Sequence, residues 1–257
     1  MFRIGICTNF ENLPDVRKLG FDFVELPLSG LAALPENDFR EFVEYVEGTG
    51  IMVRACRDML PEDLPITGPR VNATALHGYL THAFGRAQRL GVKVVALDGA
   101  KSRHVPAEDD FAFGWRQLGN FLRLAQGHAK ESGLTVALEP IRATECSLLN
   151  LVSEATLITG LLQLSNIGVC AHTGHMAMAH EPVSALRRAG LLLRHVHVEN
   201  ALTRALPQKG DGEDYPKLFS ALRDAKFDGT LSLCGKITDT FPQEAKSALA
   251  YMRSVAR

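Results

Sequence analysis

The repeating unit of this chain is plainest in residues 91–139, which read GVKVVALDGAKSRHVPAEDDFAFGWRQLGNFLRLAQGHAKESGLTVALE. A short apolar run at Lys93–Leu97 is followed by a polar loop and then by an amphipathic stretch at Phe111–Ser132. Gly133 stands where a helix would stop in the left-handed conformation, and a second apolar run, Leu134–Glu139, follows at once. This order predicts two parallel strands joined by a right-handed helical crossover.

The same unit recurs on both sides of this stretch. Short, mostly apolar runs predict eight strands, at Arg3–Thr8, Asp22–Leu26, Ile51–Cys56, Lys93–Leu97, Leu134–Glu139, Ile167–His172, Arg194–Val198 and Thr230–Cys234. Helical patterns lie between them, at Asp38–Gly48, Asn72–Leu90, Phe111–Ser132, Val152–Gln163, Val183–Ala189, Tyr215–Ala225 and Gln243–Val255. Gly20, Gly50, Gly91 and Gly133 mark the ends of helical segments.

Eight such units in a chain of 257 residues predict an α/β protein with one (β/α)₈ TIM barrel, a single domain over residues 1–257. A doubly wound open sheet is the alternative. A doubly wound fold typically has a glycine-rich phosphate-binding loop after the first strand, whereas the sequence there is Thr8-Asn9-Phe10-Glu11. The barrel therefore accounts better for the pattern.

Composition narrows the classes of partner. The formal net charge is −1, with 28 basic and 29 acidic residues. The sequence therefore predicts neither a basic surface that would attract nucleic acid nor a polybasic patch that would bind a membrane. The first residues lack the pattern of a secretory signal, and no apolar run reaches the roughly 20 residues that span a bilayer. We therefore expect a cytoplasmic protein with five reduced cysteines. Cys7 and Cys234 lie on the first and last predicted strands, which are neighbours in a closed barrel, and a reducing compartment disfavours the disulfide that this would allow. Because barrels often pair through their outer helices, a homodimer is an open expectation.

Polar residues collect at the predicted strand ends. Glu139, His172, His197 and Cys234 end four successive strands, and the C-terminal strand ends of such barrels carry the reactive groups. All four residue types bind transition metals. The alternative is structural: each histidine satisfies a local hydrogen bond and the cysteine packs as a small apolar residue. His195 alternates with His197 and should lie deeper on the same face.

Several short motifs identify a family resemblance over nearly the whole chain. They are Gly20–Pro27, Leu60-Pro61, Ile66–Pro69, Phe84–Gly91, Arg103–Pro106, Ala137–Pro140 with Glu145 and Asn150, His175-Met176, His195–Val198 with Arg204 and Pro207, and Phe227–Leu233. In this order and spacing the chain resembles the xylose isomerase-like barrels of the sugar phosphate isomerase/epimerase family. Each motif is weak by itself, and together they indicate the fold and superfamily rather than the substrate.

The resemblance implies a metal-dependent isomerase or epimerase of a small sugar-like substrate. The family holds one divalent metal on Glu, Asp, His and Glu from strands 5 to 8, and its two glutamates move protons next to a carbonyl. Carried over, Glu139 is the base and a ligand, and His197 is a ligand. The resemblance and the positions near the strand ends lead us to expect substrate contacts from Glu25, Arg103, His175 and Arg204.

Two ligand positions depart from the family pattern, because His172 stands for the aspartate and Cys234 for the second glutamate. Nitrogen and sulfur ligands favour Zn²⁺ among Zn, Mn, Co and Fe, and the substitutions leave open that no metal binds. Cys234 would then be the second catalytic group, if its pKa were lowered. Glu25, Asp58 and Asp98 are the alternatives for this role.

Two other functions remain open at this point. One is a metal-assisted lyase or hydrolase on the same fold, and the other is a barrel that binds a small ligand without catalysis. Metal with exchange of a carbon-bound hydrogen would support the isomerase. A DNA-repair endonuclease is disfavoured, because such an enzyme typically needs more metal-binding residues and a basic groove for the DNA.

Overall fold

Parallel strands close into a barrel in a computed structural model that describes residues 2–106 and 110–257. Within these residues there are eight strands in the spatial order β1 to β8, with β8 pairing back to β1. They are β1 Arg3–Cys7, β2 Phe23–Pro27, β3 Val53–Arg57, β4 Val94–Leu97, β5 Thr135–Leu138, β6 Ile167–His172, β7 Leu193–Val198 and β8 Thr230–Leu233. The predicted barrel is confirmed, and each predicted strand lies within two residues of the observed bounds.

Helices cover the outside of the barrel. The described residues form α1 Leu13–Val16, α2 Leu28–Ala33, α3 Glu36–Thr49, α4 Ala73–Arg89, α5 Phe111–Ser132, α6 Val152–Leu162, α7 Thr173–Met178, α8 Ser184–Ala189, α9 Tyr215–Asp224 and α10 Phe241–Val255. The short helices α1, α2 and α7 were not predicted, whereas α8, which is equally short, lies within the predicted helix Val183–Ala189. None of the helices described is both long and apolar enough for a membrane span.

Glycines end two of the long helices as the sequence predicts. Gly50 follows α3 with φ of 69°, and Gly133 follows α5 with φ of 65°. In this left-handed conformation each backbone N–H donates to carbonyls of the last helical turn. The chain thereby turns into β3 and β5, which places the end of each strand at the same rim.

The interior of the barrel is apolar at its base and polar above. Phe23 packs with small residues from neighbouring strands, among them Ala55, Ala96 and Ala137. Gly5 on β1 leaves room for the Phe23 ring, since a Cβ at this position would collide with it. Above this layer the inward positions carry charged and imidazole side chains, so the polar groups concentrate toward the C-terminal rim.

Candidate active site

A cavity of about 420 Å³ opens at the C-terminal ends of the strands. This size suits a small-molecule ligand, and most of its wall is polar. The lining residues are Cys7, Asn9, Arg57, Asp98, Ala100, Glu139, Ile141, Glu145, His172, His175, His197, Glu199, Arg204, Cys234, Gly235 and Ile237. Parallel strands bring these residues together because their carboxyl ends meet at one rim.

Glu139 is the most constrained carboxylate of the cavity. It follows β5 directly, is 2% exposed, and accepts hydrogen bonds at Oε2 from His197 Nδ1 at 2.6 Å and from Cys170 Sγ at 3.0 Å. Burial by itself would raise its pKa, but the imidazoles of His197 and, more weakly, His172 hold the pKa well below the usual value. Glu139 is therefore ionised at neutral pH although it is buried.

His197 lies between two carboxylates. Its Nε2 is 3.0 Å from Glu25 Oε1, while its Nδ1 contacts Glu139. Burial lowers the pKa of His197, but its acidic neighbours, Cys170, Glu25 and Glu139, raise it well above the usual value. A positively charged imidazolium thus joins the two glutamates.

This chain of hydrogen bonds continues into the barrel. Glu25 Oε2 is 2.9 Å from Nε2 of His195, and Nδ1 of His195 is 2.7 Å from Thr230 Oγ1. Glu25 and His195 are both fully buried. A network of this kind holds Glu139 and His197 in fixed orientations, since a buried polar group that loses its partner is costly.

Three of the four predicted metal ligands come together as a possible metal site, in which His197 would have to give up a proton and one of its carboxylate partners to bind an ion. Donor atoms of Glu139, His172 and His197 all lie within 4.8 Å of one another. Burial lowers the pKa of His172 to about 3, so this imidazole is neutral at pH 7 and free to ligate. One carboxylate with two imidazoles suits Zn²⁺ and other transition ions.

The fourth predicted ligand, Cys234, contacts a different partner. Its Sγ lies 2.6 Å from Sγ of Cys7, and the two thiols form a separate group with His197. Burial raises the pKa of Cys234 to about 11. The thiol is therefore protonated at neutral pH, and the hypothesis that it acts as a base with a lowered pKa does not fit its surroundings.

His175 and Arg204, two predicted substrate contacts, both line the cavity. His175 comes from α7, and its Nε2 is 3.9 Å from Glu139 Oε1. Arg204 is held between two carboxylates, with Nε 3.5 Å from Glu199 Oε1 and Nη1 3.5 Å from Glu145 Oε1. Both side chains are thus placed to touch a ligand beside Glu139.

The other two residues that we expected to contact the substrate, Arg103 and Glu25, lie behind the cavity wall. Arg103 is fully buried, and its guanidinium donates to the carbonyl oxygens of Leu97 and Glu139. Glu25 is also fully buried, with both oxygens engaged by imidazoles. Neither residue lines the cavity. They support the site from behind, and a substrate in the cavity would not reach them.

Asp98, which was predicted only as an alternative to Cys234, lines the cavity, and so do Arg57 and Asn9, which the prediction of site residues missed. Arg57 donates to Asn9 Oδ1 at 2.9 Å and pairs with Asp58. Asp98 accepts the backbone N–H of Asp58 at 3.0 Å. The available signal was position, because each follows or ends a predicted strand.

Asp98 makes stability depend on pH. Burial, together with the charges of Asp58 and Glu139, raises its pKa to about 7, whereas an unfolded aspartate titrates near ~3.9. The protonated carboxyl is thus favoured by folding, and this contribution to stability is lost as the pH rises through 7. As the pH rises from about 5 to 8.5, we expect the free energy of unfolding of the wild type to fall by roughly 1–4 kcal/mol more than that of Asp98→Asn.

Urea unfolding at several pH values, with a chelator present, measures this difference. The chelator matters because a bound cation would lower the pKa of a nearby carboxyl. Parallel pH curves for the two proteins would contradict the raised pKa of Asp98.

Comparisons with known proteins agree with this architecture. A family model described as xylose isomerase-like TIM barrel matches residues 13–255. A D-psicose 3-epimerase crystallised with D-fructose superposes with a TM-score of 0.87 at 18% identity, over 99% of each chain. The 3-keto-D-glucoside 4-epimerase YcjR from E. coli gives 0.82 at 20% identity, over 99% of this chain and 100% of that one.

A third similar structure is the IOLI protein with a bound zinc atom, with a TM-score of 0.75 at 16% identity, over 99% of this chain and 96% of that one. At these identities the likeness shows the fold alone. Among curated proteins, none matches the chain in sequence.

Proposed function

Because the chain belongs to the xylose isomerase-like TIM barrel family, we propose that it is an isomerase or epimerase that moves a proton next to the carbonyl of a small sugar. The observation that carries the proposal is the buried carboxyl group of Glu139, which is hydrogen-bonded to His197 at the wall of a polar cavity. Epimerisation by two of the similar structures supports the same class of chemistry.

Glu139 is the proton acceptor in this proposal. His197 and Cys170 hold its Oε2 by hydrogen bonds, while its Oε1 lies 3.9 Å from Nε2 of His175. The contacts that keep the carboxylate ionised also lower its basicity. Positioning and stabilisation of the substrate oxygens must therefore supply much of the acceleration.

Glu139, His172 and His197 would hold a divalent ion, and Zn²⁺ suits this donor set. When bound, the metal supplies Lewis-acid stabilisation of the substrate oxygens next to the reacting carbon. The chain's own residues do the rest: Glu139 takes the proton, and His175 and Arg204 lie beside it to hold the sugar.

A single base favours proton transfer between neighbouring carbons on one face of the sugar. The family's second glutamate is Cys234 here, and burial keeps its thiol protonated. A protonated thiol can give a proton but cannot take one at neutral pH. The geometry therefore favours aldose–ketose isomerisation by Glu139. Epimerisation would be limited to the direction in which Glu139 takes a proton from carbon and Cys234 donates one.

The cavity favours an uncharged sugar over a sugar phosphate. Its two arginines are already paired, Arg57 with Asp58 and Arg204 with Glu145 and Glu199. A phosphate would have to break these ion pairs and enter a wall that also carries Asp98 and Glu139. The same excess of carboxylates disfavours a nucleic-acid substrate.

A sugar panel tests the proposal. Purified protein loaded with Zn²⁺, Co²⁺ or Mn²⁺ is incubated with neutral pentoses and hexoses and with their phosphates, and products are separated by chromatography. We expect conversion of a neutral ketose or aldose, with the phosphates slower. Sugar binding without any product would overturn the enzymatic proposal, and faster conversion of phosphates would overturn the preference for uncharged sugars.

A further inference from the structure

Two cysteines from the first and last strands meet where the barrel closes. Ile6 of β1 pairs with Leu233 of β8, so the next residues, Cys7 and Cys234, stand opposite each other at the rim. Their Sγ atoms are 2.6 Å apart, and both side chains line the cavity. A pair of thiols on neighbouring strands is far more specific than a single buried cysteine, because two soft ligands are already brought together.

A third soft ligand completes the group. Sγ of Cys7, Sγ of Cys234 and a ring nitrogen of His197 all lie within 4.8 Å of one another. We propose that these three residues form a thiolate metal site for a thiophilic divalent ion such as Zn²⁺, Co²⁺ or Cd²⁺. The site shares His197 with the Glu139 and His172 group but lies on the β7–β8–β1 side of the cavity.

The geometry needs only a small adjustment. Two sulfurs on one tetrahedral ion, at a metal–sulfur distance of about 2.3 Å, are roughly 3.7 Å apart. Cys7 and Cys234 must therefore separate by about 1 Å from their present 2.6 Å, which rotation of one side chain provides. On the imidazole side, one nitrogen of His197 must exchange its carboxylate partner for the ion.

The charges are compatible with a divalent ion. Both thiols are buried, and a divalent ion that binds them as thiolates must displace two protons. The resulting thiolates neutralise the charge of the ion within a buried wall. Because both groups use His197, an ion bound to the two thiols is an alternative to an ion held by Glu139 and His172, and it leaves Glu139 free to act as the base.

Cobalt titration tests the site without any measurement of turnover. Metal-free protein, reduced with a phosphine under nitrogen, is titrated with Co²⁺ while the near-ultraviolet absorption is recorded. Thiolate ligation produces a sulfur-to-cobalt charge-transfer band, which oxygen and nitrogen ligands do not. We expect the band to saturate at one ion per chain, and Cys7→Ser and Cys234→Ser each to lower its intensity and to weaken binding more than about tenfold. The variant with both serines should lose the band.

Matched variants separate this site from the Glu139 and His172 group. Cys146→Ser changes a buried thiol outside the cavity and should leave the band intact, as should His172→Ala and Glu139→Gln. Cobalt bound without the band in the wild type, no cobalt bound at all, or a band of unchanged intensity in both single serine variants would overturn the proposal. Because the readout is absorption, a protein inactive on every sugar could still show the band.

Discussion

Replacing Glu139 by glutamine is expected to lower turnover of the sugar substrate by about 10²–10⁴-fold. Glutamine keeps the size of the side chain but cannot accept the proton from carbon. Its oxygen can still accept a hydrogen bond from His197, so the wall of the cavity should keep its shape. The measurement is kcat and KM for the best substrate of the panel, in wild type and variant with the same metal.

Two controls keep this result specific to Glu139. Glu62→Gln removes an exposed carboxylate paired with Lys101, outside the cavity, and should leave turnover unchanged. Thermal unfolding of Glu139→Gln shows whether the variant is folded. A folded Glu139→Gln protein within a few-fold of wild-type kcat would exclude Glu139 as the base.

Replacing Glu25 by alanine is expected to lower the free energy of unfolding by about 3–5 kcal/mol. Burial opposes ionisation of Glu25, but His195 and His197 hold its pKa well below the usual value. Alanine would leave these two buried imidazoles without their shared acceptor, at distances that are now 2.9 and 3.0 Å. Glu25→Gln retains the shape and one acceptor, so its loss should be smaller, about 1–3 kcal/mol.

Urea unfolding of the metal-free proteins measures these losses. Glu44→Ala, an exposed change on α3, is the matched control and should stay within about 0.5 kcal/mol of wild type. Because folding lowers the pKa of Glu25, its contribution is present above the pKa of an unfolded glutamate and is lost as the pH falls further. A stable Glu25→Ala protein at neutral pH would mean that the imidazoles do not depend on this carboxylate.

The barrel could be predicted because its signals are local and repeated. Each strand is a short apolar run, and glycines such as Gly50 and Gly133 end helices with the positive φ that the pattern indicates. Helices α2 and α7 were not predicted, because each is short and begins directly after a strand, without the polar loop that separates strand from helix in the repeating unit. Helix α7 matters for function, since it brings His175 to the cavity.

The candidate site could be predicted in location but not in its contacts. Glu139, His172 and His197 converge because the ends of neighbouring parallel strands must lie close together. The position of Arg103 could not be read from the sequence, because one turn of 3₁₀ helix at Lys101–Arg103 directs its side chain inward.

The nearness of Cys7 and Cys234 could be predicted from the closure of the barrel, which makes β8 and β1 neighbours although the two residues are 227 positions apart in the chain. The contact of Cys170 was not predicted, and its thiol donates to Glu139 across neighbouring strands. Alternation along β6 places it on the same face as His172, which was the available signal.

Deuterium incorporation tests the central claim, proton transfer by Glu139, most directly. Metal-loaded protein is incubated with a neutral keto sugar in heavy water, and the recovered sugar is examined by mass spectrometry and NMR. We predict that solvent deuterium enters at the carbon next to the carbonyl and that Glu139→Gln abolishes the exchange. Sugar that binds in the cavity but recovers no deuterium would contradict the account and leave a barrel that binds its ligand without reacting with it.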